Sequence, residues 1–134
     1  MGKILALDYG TKRIGVAVSD EGQKIAFPKP FIETKKKGEL LKMIIDEAVE
    51  KVLVGLPKSL AGKETKSAQA AREFADWLKQ DSGLEVELVD ERFTTREAGQ
   101  KLRETGLKSK QAKTKIDSMS AYILLESYLN KFRN

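Results

Sequence analysis

Residues 4 to 19 join two apolar runs through a turn and leave one carboxylate at the junction. Ile4-Leu5-Ala6-Leu7 has the length and composition of a strand, Asp8 ends it, the chain turns at Gly10, and Ile14-Gly15-Val16-Ala17-Val18 reads as the return strand of a hairpin. Aspartate is depleted inside strands and costly to bury without a partner, so Asp8 needs either hydrogen-bond donors or a cation. Two readings follow. Asp8 caps the turn by accepting from the amides of Gly10 or Thr11, as turn aspartates do, or it takes part in a metal or phosphate site.

Composition narrows the chemistry. The chain has 134 residues, no Cys and no His. There is therefore no disulfide, no thiolate nucleophile, no imidazole base and no cysteine or histidine zinc site. Carboxylate chemistry remains for bond cleavage, and a carboxylate-only site selects hard cations such as Mg²⁺ or Mn²⁺. The 25 Lys and Arg against 20 Asp and Glu give a net charge of +5, which favours a polyanionic partner. Length and 40% hydrophobic content fit one globular domain spanning 1–134. No stretch suits a membrane span and no signal peptide precedes the first strand, so no membrane role and a cytoplasmic location are expected.

Further along, Lys24 to Phe27 reads as a third strand stopped by Pro28 and Pro30. Helical spacing of Leu40, Leu41, Ile44, Ile45 and Ala48 predicts a helix from Lys37 through Val49, and Lys51 to Leu56 reads as a buried parallel strand ended by Pro57. After a loop through Glu64, a helix carries Ala68, Ala71, Ala75 and Leu78 as an apolar stripe beside Phe74 and Trp77, with Gly83 at its C-terminal end. Val86 to Val89 is the next strand, running into Asp90 and Glu91. Thr94-Thr95-Arg96-Glu97 fits a capping box for a helix to about Gly106, a basic linker spans 108–115, and a final helix carries Ala121, Leu124, Leu125, Tyr128, Leu129 and Phe132. Asp117 lies four residues before Ala121 on that apolar face, although Asp before Ser-Met-Ser is also a good N-cap.

Strand and helix alternation predicts an α/β fold: a five-stranded mixed sheet, an antiparallel hairpin followed by parallel strands, flanked by helices. Sites in such sheets form beyond the C-terminal strand ends, where Asp8 and the Asp90-Glu91 pair fall and where the last helix can bring Asp117. Alternation alone does not choose between Asp90 and Glu91.

Four blocks in order, Leu7 to Asp20, Val54-Gly55-Leu56-Pro57, Val89 to Thr95 and Asp117 to Ala121, resemble the signature blocks of the YqgF (RuvX) family. The resemblance implies a ribonuclease H-like, RuvC-related fold and a metal-dependent nuclease of ribosome biogenesis, acting in maturation of the pre-16S ribosomal RNA 5′ end. Holliday junction resolution is the competing assignment. The family's acidic positions fall on Asp8, Glu91 and Asp117, which the resemblance casts as catalytic and as ligands for Mg²⁺ or Mn²⁺. Two departures separate this chain from RuvC itself, which has a carboxylate where Gly55-Leu56-Pro57 stands and a second acid where Ser120 or Ala121 stands.

Other classes remain to be weighed. Asp8-Tyr9-Gly10-Thr11 also resembles the first phosphate loop of actin-like ATPases and sugar kinases, and a non-catalytic RNA-binding role is a further alternative. The partner expected is nucleic acid, pre-ribosomal RNA or branched DNA, and the protein a monomer or a homodimer. Lys12, Arg13, Arg92, Lys108, Lys110, Lys113 and Lys115 flank the acidic residues and would offset their repulsion of phosphate, and Thr11 is a further expected substrate contact. Neutralising the four lysines at 108, 110, 113 and 115 is expected to weaken binding to all nucleic-acid sequences alike. The salt dependence, read from binding titrations at several ionic strengths, flattens by up to roughly one unit of slope for each phosphate that is no longer neutralised.

Overall fold

A computed structural model describes residues 2–56, 65–90 and 118–131. Five strands, β1 (Lys3–Tyr9), β2 (Arg13–Ser19), β3 (Ala26–Glu33), β4 (Val49–Leu56) and β5 (Glu85–Asp90), form one sheet in the order β3-β2-β1-β4-β5. The first three are antiparallel neighbours, whereas β4 runs parallel to both β1 and β5. Among the described residues three α-helices accompany them: α1 (Glu39–Asp46), α2 (Lys66–Ser82) and α3 (Met119–Asn130).

The hairpin is apolar on both faces because both faces are covered. Leu5, Leu7, Val16, Val18, Val52 and Val54 pack with Leu40, Ile44, Phe74 and Leu78 of α1 and α2. The alternate residues Ile4, Ala6, Ala17 and Leu53 pack with Ala121, Leu124, Leu125 and Tyr128 of α3. Period-two alternation thus assigns each central residue to one of two cores.

Helix ends follow their local chemistry. Thr65 Oγ1 caps α2 by accepting from the Ala68 amide at 3.2 Å, and Gly83 closes the helix with φ 73°, a conformation that costs glycine little. Ser118 occupies the N-cap position of α3, but its side chain bonds elsewhere. Its Oγ accepts from the buried Val16 amide of β2 at 3.2 Å and donates to the Lys29 carbonyl of β3. At the other end of α3, Lys51 Nζ of β4 donates to Tyr128 Oη at 2.8 Å and pairs with Glu87 at 3.0 Å and Glu85 at 3.2 Å. The Tyr128 hydrogen bond and the two carboxylates outweigh partial desolvation and raise the Lys51 pKa above the usual lysine range. A raised pKa contributes fully below the ordinary lysine value, so this anchor is intact throughout the neutral range.

Several sequence expectations are corrected. The third strand is not stopped by Pro28 and Pro30 but runs through both, because β3 is the edge strand and an edge tolerates missing N–H groups. Its register with β2 shifts between Ile14 and Val16, so Gly15 faces both Pro30 and Phe31, a β-bulge. The first helix ends at Asp46 rather than 49, since Ala48 adopts φ 53° and turns the chain into β4, which begins at Val49 rather than Lys51. Ile45, expected on its apolar face, is 77% exposed. Ser118 stands at the N-cap of the last helix, and Asp117 lies outside the described residues. The loop at 57–64, the capping box and helix through Gly106, the basic linker and Phe132 lie outside the described residues.

Replacing Ser118 with alanine removes the hydroxyl that joins α3 to β2 and β3 and leaves the buried Val16 amide without its partner. The expected cost is about 1–3 kcal/mol, read as a lowered urea midpoint with an unchanged m-value.

Candidate functional site

Asp8 is the sixth residue of β1 and the last on its face before the turn. It alternates with Ile4 and Ala6, so it stands on the sheet face that α3 covers. Across the antiparallel ladder it pairs with Gly15, and the parallel register that pairs Leu7 with Val54 sets Gly55 beside it at the next step. The only described side chain near the middle of this three-strand row is therefore the carboxylate, with a glycine on either hand. The following residue is fixed on the opposite face, where the Tyr9 ring stacks on Phe74 at 4.7 Å and Phe74 on Trp77 at 5.9 Å.

Two aspartates lie at strand ends of this hairpin, and their surroundings differ. Asp20, just past β2, accepts from the Lys24 amide at 2.7 Å and the Ile25 amide at 2.9 Å. These amides, Ile25 first, hold its pKa below the ordinary carboxylate value. Asp8 is half-buried, yet among the described residues it has no hydrogen bond and no ion pair. The turn-capping role considered for Asp8, with Gly10 or Thr11 as donor, is thus not realised. Instead the turn is held without it: a Cβ at Gly10 would stand 2.6 Å from the Arg13 carbonyl, the Thr34 hydroxyl donates to the Gly10 carbonyl at 2.6 Å, and the Thr34 amide donates to the Lys12 carbonyl at 3.0 Å.

An anionic oxygen pair left without donors at a strand end is suited to a hard cation, which bonds oxygen and compensates the desolvated charge. Glu91 and Asp117 lie outside the described residues, as do Arg92, Lys108, Lys110, Lys113 and Lys115. Among the described residues no group of three or more acidic side chains gathers. Asp90, which pairs with Leu56, ends β5 at the same edge as Asp8, and Ser118 reaches Val16, the ladder partner of Leu7.

Topology also gathers cations that the sequence reading left out. Thr11 and Lys12, in the turn after β1, and Arg13, the first residue of β2, are exposed. Because β3 is antiparallel to β2, its end and the short 3-10 turn Thr34–Lys36 return to this edge and bring Lys35 and Lys36 with them. Both pair with Glu33 at the edge of ion-pair range, 3.9 Å and 3.8 Å, and both are exposed, so these contacts contribute little to stability. The Lys35-Lys36-Lys37 run was the available signal. Hairpin topology, not proximity in sequence, makes it relevant.

The family model described as "RuvX: Holliday junction resolvase" matches residues 2–131. A protein of Maridesulfovibrio salexigens named "Putative pre-16S rRNA nuclease" is 40% identical over 131 residues, covering 95% of this chain and 97% of that one. A relative of the same name from Koribacter versatilis is 39% identical over 134 residues, covering 97% and 88%. Among solved structures, T. thermophilus RuvC in complex with a Holliday junction substrate superposes with a TM-score of 0.64 at 12% identity, covering 98% of this chain and 97% of that one. The last likeness shows the fold, a ribonuclease H-like mixed sheet as expected from the sequence.

If Asp8 is left without partners so that it can bind a cation, Asp8→Asn should leave thermal stability in chelator unchanged or slightly raised. Millimolar Mg²⁺ or Mn²⁺ should raise the melting temperature of the parent chain and fail to raise that of the variant, as binding to the native state requires. Calorimetric scans with and without the ions check both halves.

Proposed function

This chain belongs to the RuvX family, and from that premise we propose that it is a metal-dependent nuclease that hydrolyses phosphodiester bonds in the 5′ leader of pre-16S ribosomal RNA. The observation that carries the reading is Asp8, a half-buried carboxylate at the C-terminal end of β1 without a described partner, between two glycines and beside a cluster of cations.

In this reading Asp8, Glu91 and Asp117 hold Mg²⁺ or Mn²⁺. Alternation along β5 favours Glu91 over Asp90: Val89 pairs with Gly55 on the Asp8 side, whereas position 90 pairs with Leu56 of the opposite core. For Asp117 the support is the seating of α3 on the Asp8 face and the contact of Ser118 with Val16. Bound ions of this kind supply Lewis-acid polarisation of the phosphate and a more acidic water. The chain's own part is to grip and orient. In this reading Lys12, Arg13, Lys35 and Lys36 offset the repulsion between the carboxylates and the nucleic-acid backbone, the exposed Thr11 offers a hydroxyl to a phosphate oxygen, and Arg92 with the lysines at 108–115 extends the grip. No imidazole is available to carry a proton.

The description of the family model favours a second reading, Holliday junction resolution. Gly55 weighs against it, since the RuvC-like pattern has a carboxylate in that segment and this chain offers a residue with no side chain there. Among the described residues no helix is long and apolar enough to cross a membrane.

Incubating one preparation with a 16S 5′ leader RNA and with a four-way DNA junction, in Mg²⁺ or Mn²⁺, separates the readings. The expected result is RNA cleavage that excess chelator abolishes and that Asp8→Asn lowers by orders of magnitude with little change in RNA affinity. Junction cleavage without RNA cleavage would replace the first reading by the second, and full activity of Asp8→Asn would exclude both.

A further inference from the structure

Three large apolar side chains stand exposed on or beside the edge strand: Ile25 at 53%, Phe27 at 46% and Phe31 at 39%. Only Phe31 lies at the Asp8 end of the sheet. It stands at the rim of the sheet, where it borders a groove with Lys42 and Met43 of α1, while its ring lies against Arg13, which alternates with Gly15 on the face that carries Asp8. It sits at the bulge, where the two residues Pro30 and Phe31 face Gly15, and Gly15 in turn pairs with Asp8. Two interstrand steps separate Phe31 from Asp8, about 10 Å at ordinary sheet spacing. That is within reach of a nucleotide next to one whose phosphate lies at Asp8.

The Phe31 ring is also held in place. The Arg13 guanidinium carbon lies 5.4 Å from its centroid, within cation–π range. Lys12 and Lys35 are exposed nearby on the same edge, so an aromatic face is presented inside a positive rim. A solvent-facing phenylalanine beside guanidinium and ammonium groups matches what an unpaired nucleotide requires, a stacking surface for the base and cations for its phosphates.

We propose that Phe31, set against Arg13, is the platform on which an unpaired base beside the scissile phosphate stacks, so that the site selects single-stranded over paired nucleic acid. This deepens the nuclease reading and rests on it. A base inside a duplex has its faces covered by its neighbours, whereas a base in a single-stranded leader is free to stack on protein.

The test measures binding in an Asp8→Asn background, so that substrate is not consumed. The probes are a single-stranded RNA oligonucleotide carrying 2-aminopurine and a fully paired RNA of the same sequence. Phe31→Ala should weaken single-strand binding about ten- to hundredfold and abolish the fluorescence quenching that stacking causes, with duplex affinity unchanged. Phe31→Leu keeps the apolar bulk and should be stable but equally defective, whereas Phe31→Trp should restore binding. Arg13→Gln should reduce the salt slope by about one unit, a change that the Phe31 variants do not produce. Equal affinity of the Phe31→Leu protein and its parent for single strands, with quenching intact, would overturn the platform while leaving the nuclease reading in place. Loss of a concentration-dependent dimer in Phe31→Ala without loss of RNA affinity would also overturn it, since the ring would then serve an interface. Failure of the parent to bind either RNA would remove the nuclease reading itself.

Discussion

The hydroxyl of Ser118 joins three elements with two hydrogen bonds, and the geometry of the Asp8 edge depends on it. It bridges an N–H of β2 and a C=O of β3 at the pair Val16 and Lys29, next to the point where the strand register shifts. A bulge leaves backbone groups out of the ladder, and a buried group left unpaired costs about as much as a missing hydrogen bond. A side chain from a distant helix therefore completes the sheet. One contact both makes the bulge tolerable and seats the start of α3 over the hairpin, while Lys51 and Tyr128 fix the helix at its far end. Small residues on that face, Ala6, Gly15, Ala17 and Gly55, leave room for the helix and for whatever Asp8 holds.

Stability and site chemistry are thus divided between the two ends of one sheet. At the Lys51 end the ammonium group meets a phenol and two carboxylates, and this network tightens the cation's hold on its proton. At the other end, a carboxylate is half-buried without a described partner and lysines crowd an exposed turn.

Much of this was legible in the residues. Asp8 stood out because a lone acid ends an apolar strand, and Gly83 because a helix stripe stopped before it. The order of elements followed from alternating periodicities. Other features were hidden for identifiable reasons. Pro28 and Pro30 read as terminators because nothing local reveals that β3 is an edge. Ile45 fits helical periodicity but lies outside the arc that a helix of eight residues buries. The part played by Ser118 was hidden because its partners are 102 and 89 positions away. Lys35 and Lys36 come to the Asp8 edge only through the antiparallel return of β3. No local pattern chooses between Asp90 and Glu91, because the faces of β5 are set by its pairing with β4.

The prolines of the edge strand carry one more consequence. An exposed sheet edge is a template on which another extended chain can add, through its row of free N–H and C=O groups. Of the eight residues of β3, Pro28 and Pro30 have no N–H to offer, and the bulge at Pro30 and Phe31 bends the remaining row away from a straight line. An edge interrupted in this way cannot propagate an intermolecular ladder. The chain can thus display Phe27 and Phe31 to solvent without inviting strand-to-strand aggregation, and an aromatic surface persists on a β-sheet rim where it would otherwise be a hazard.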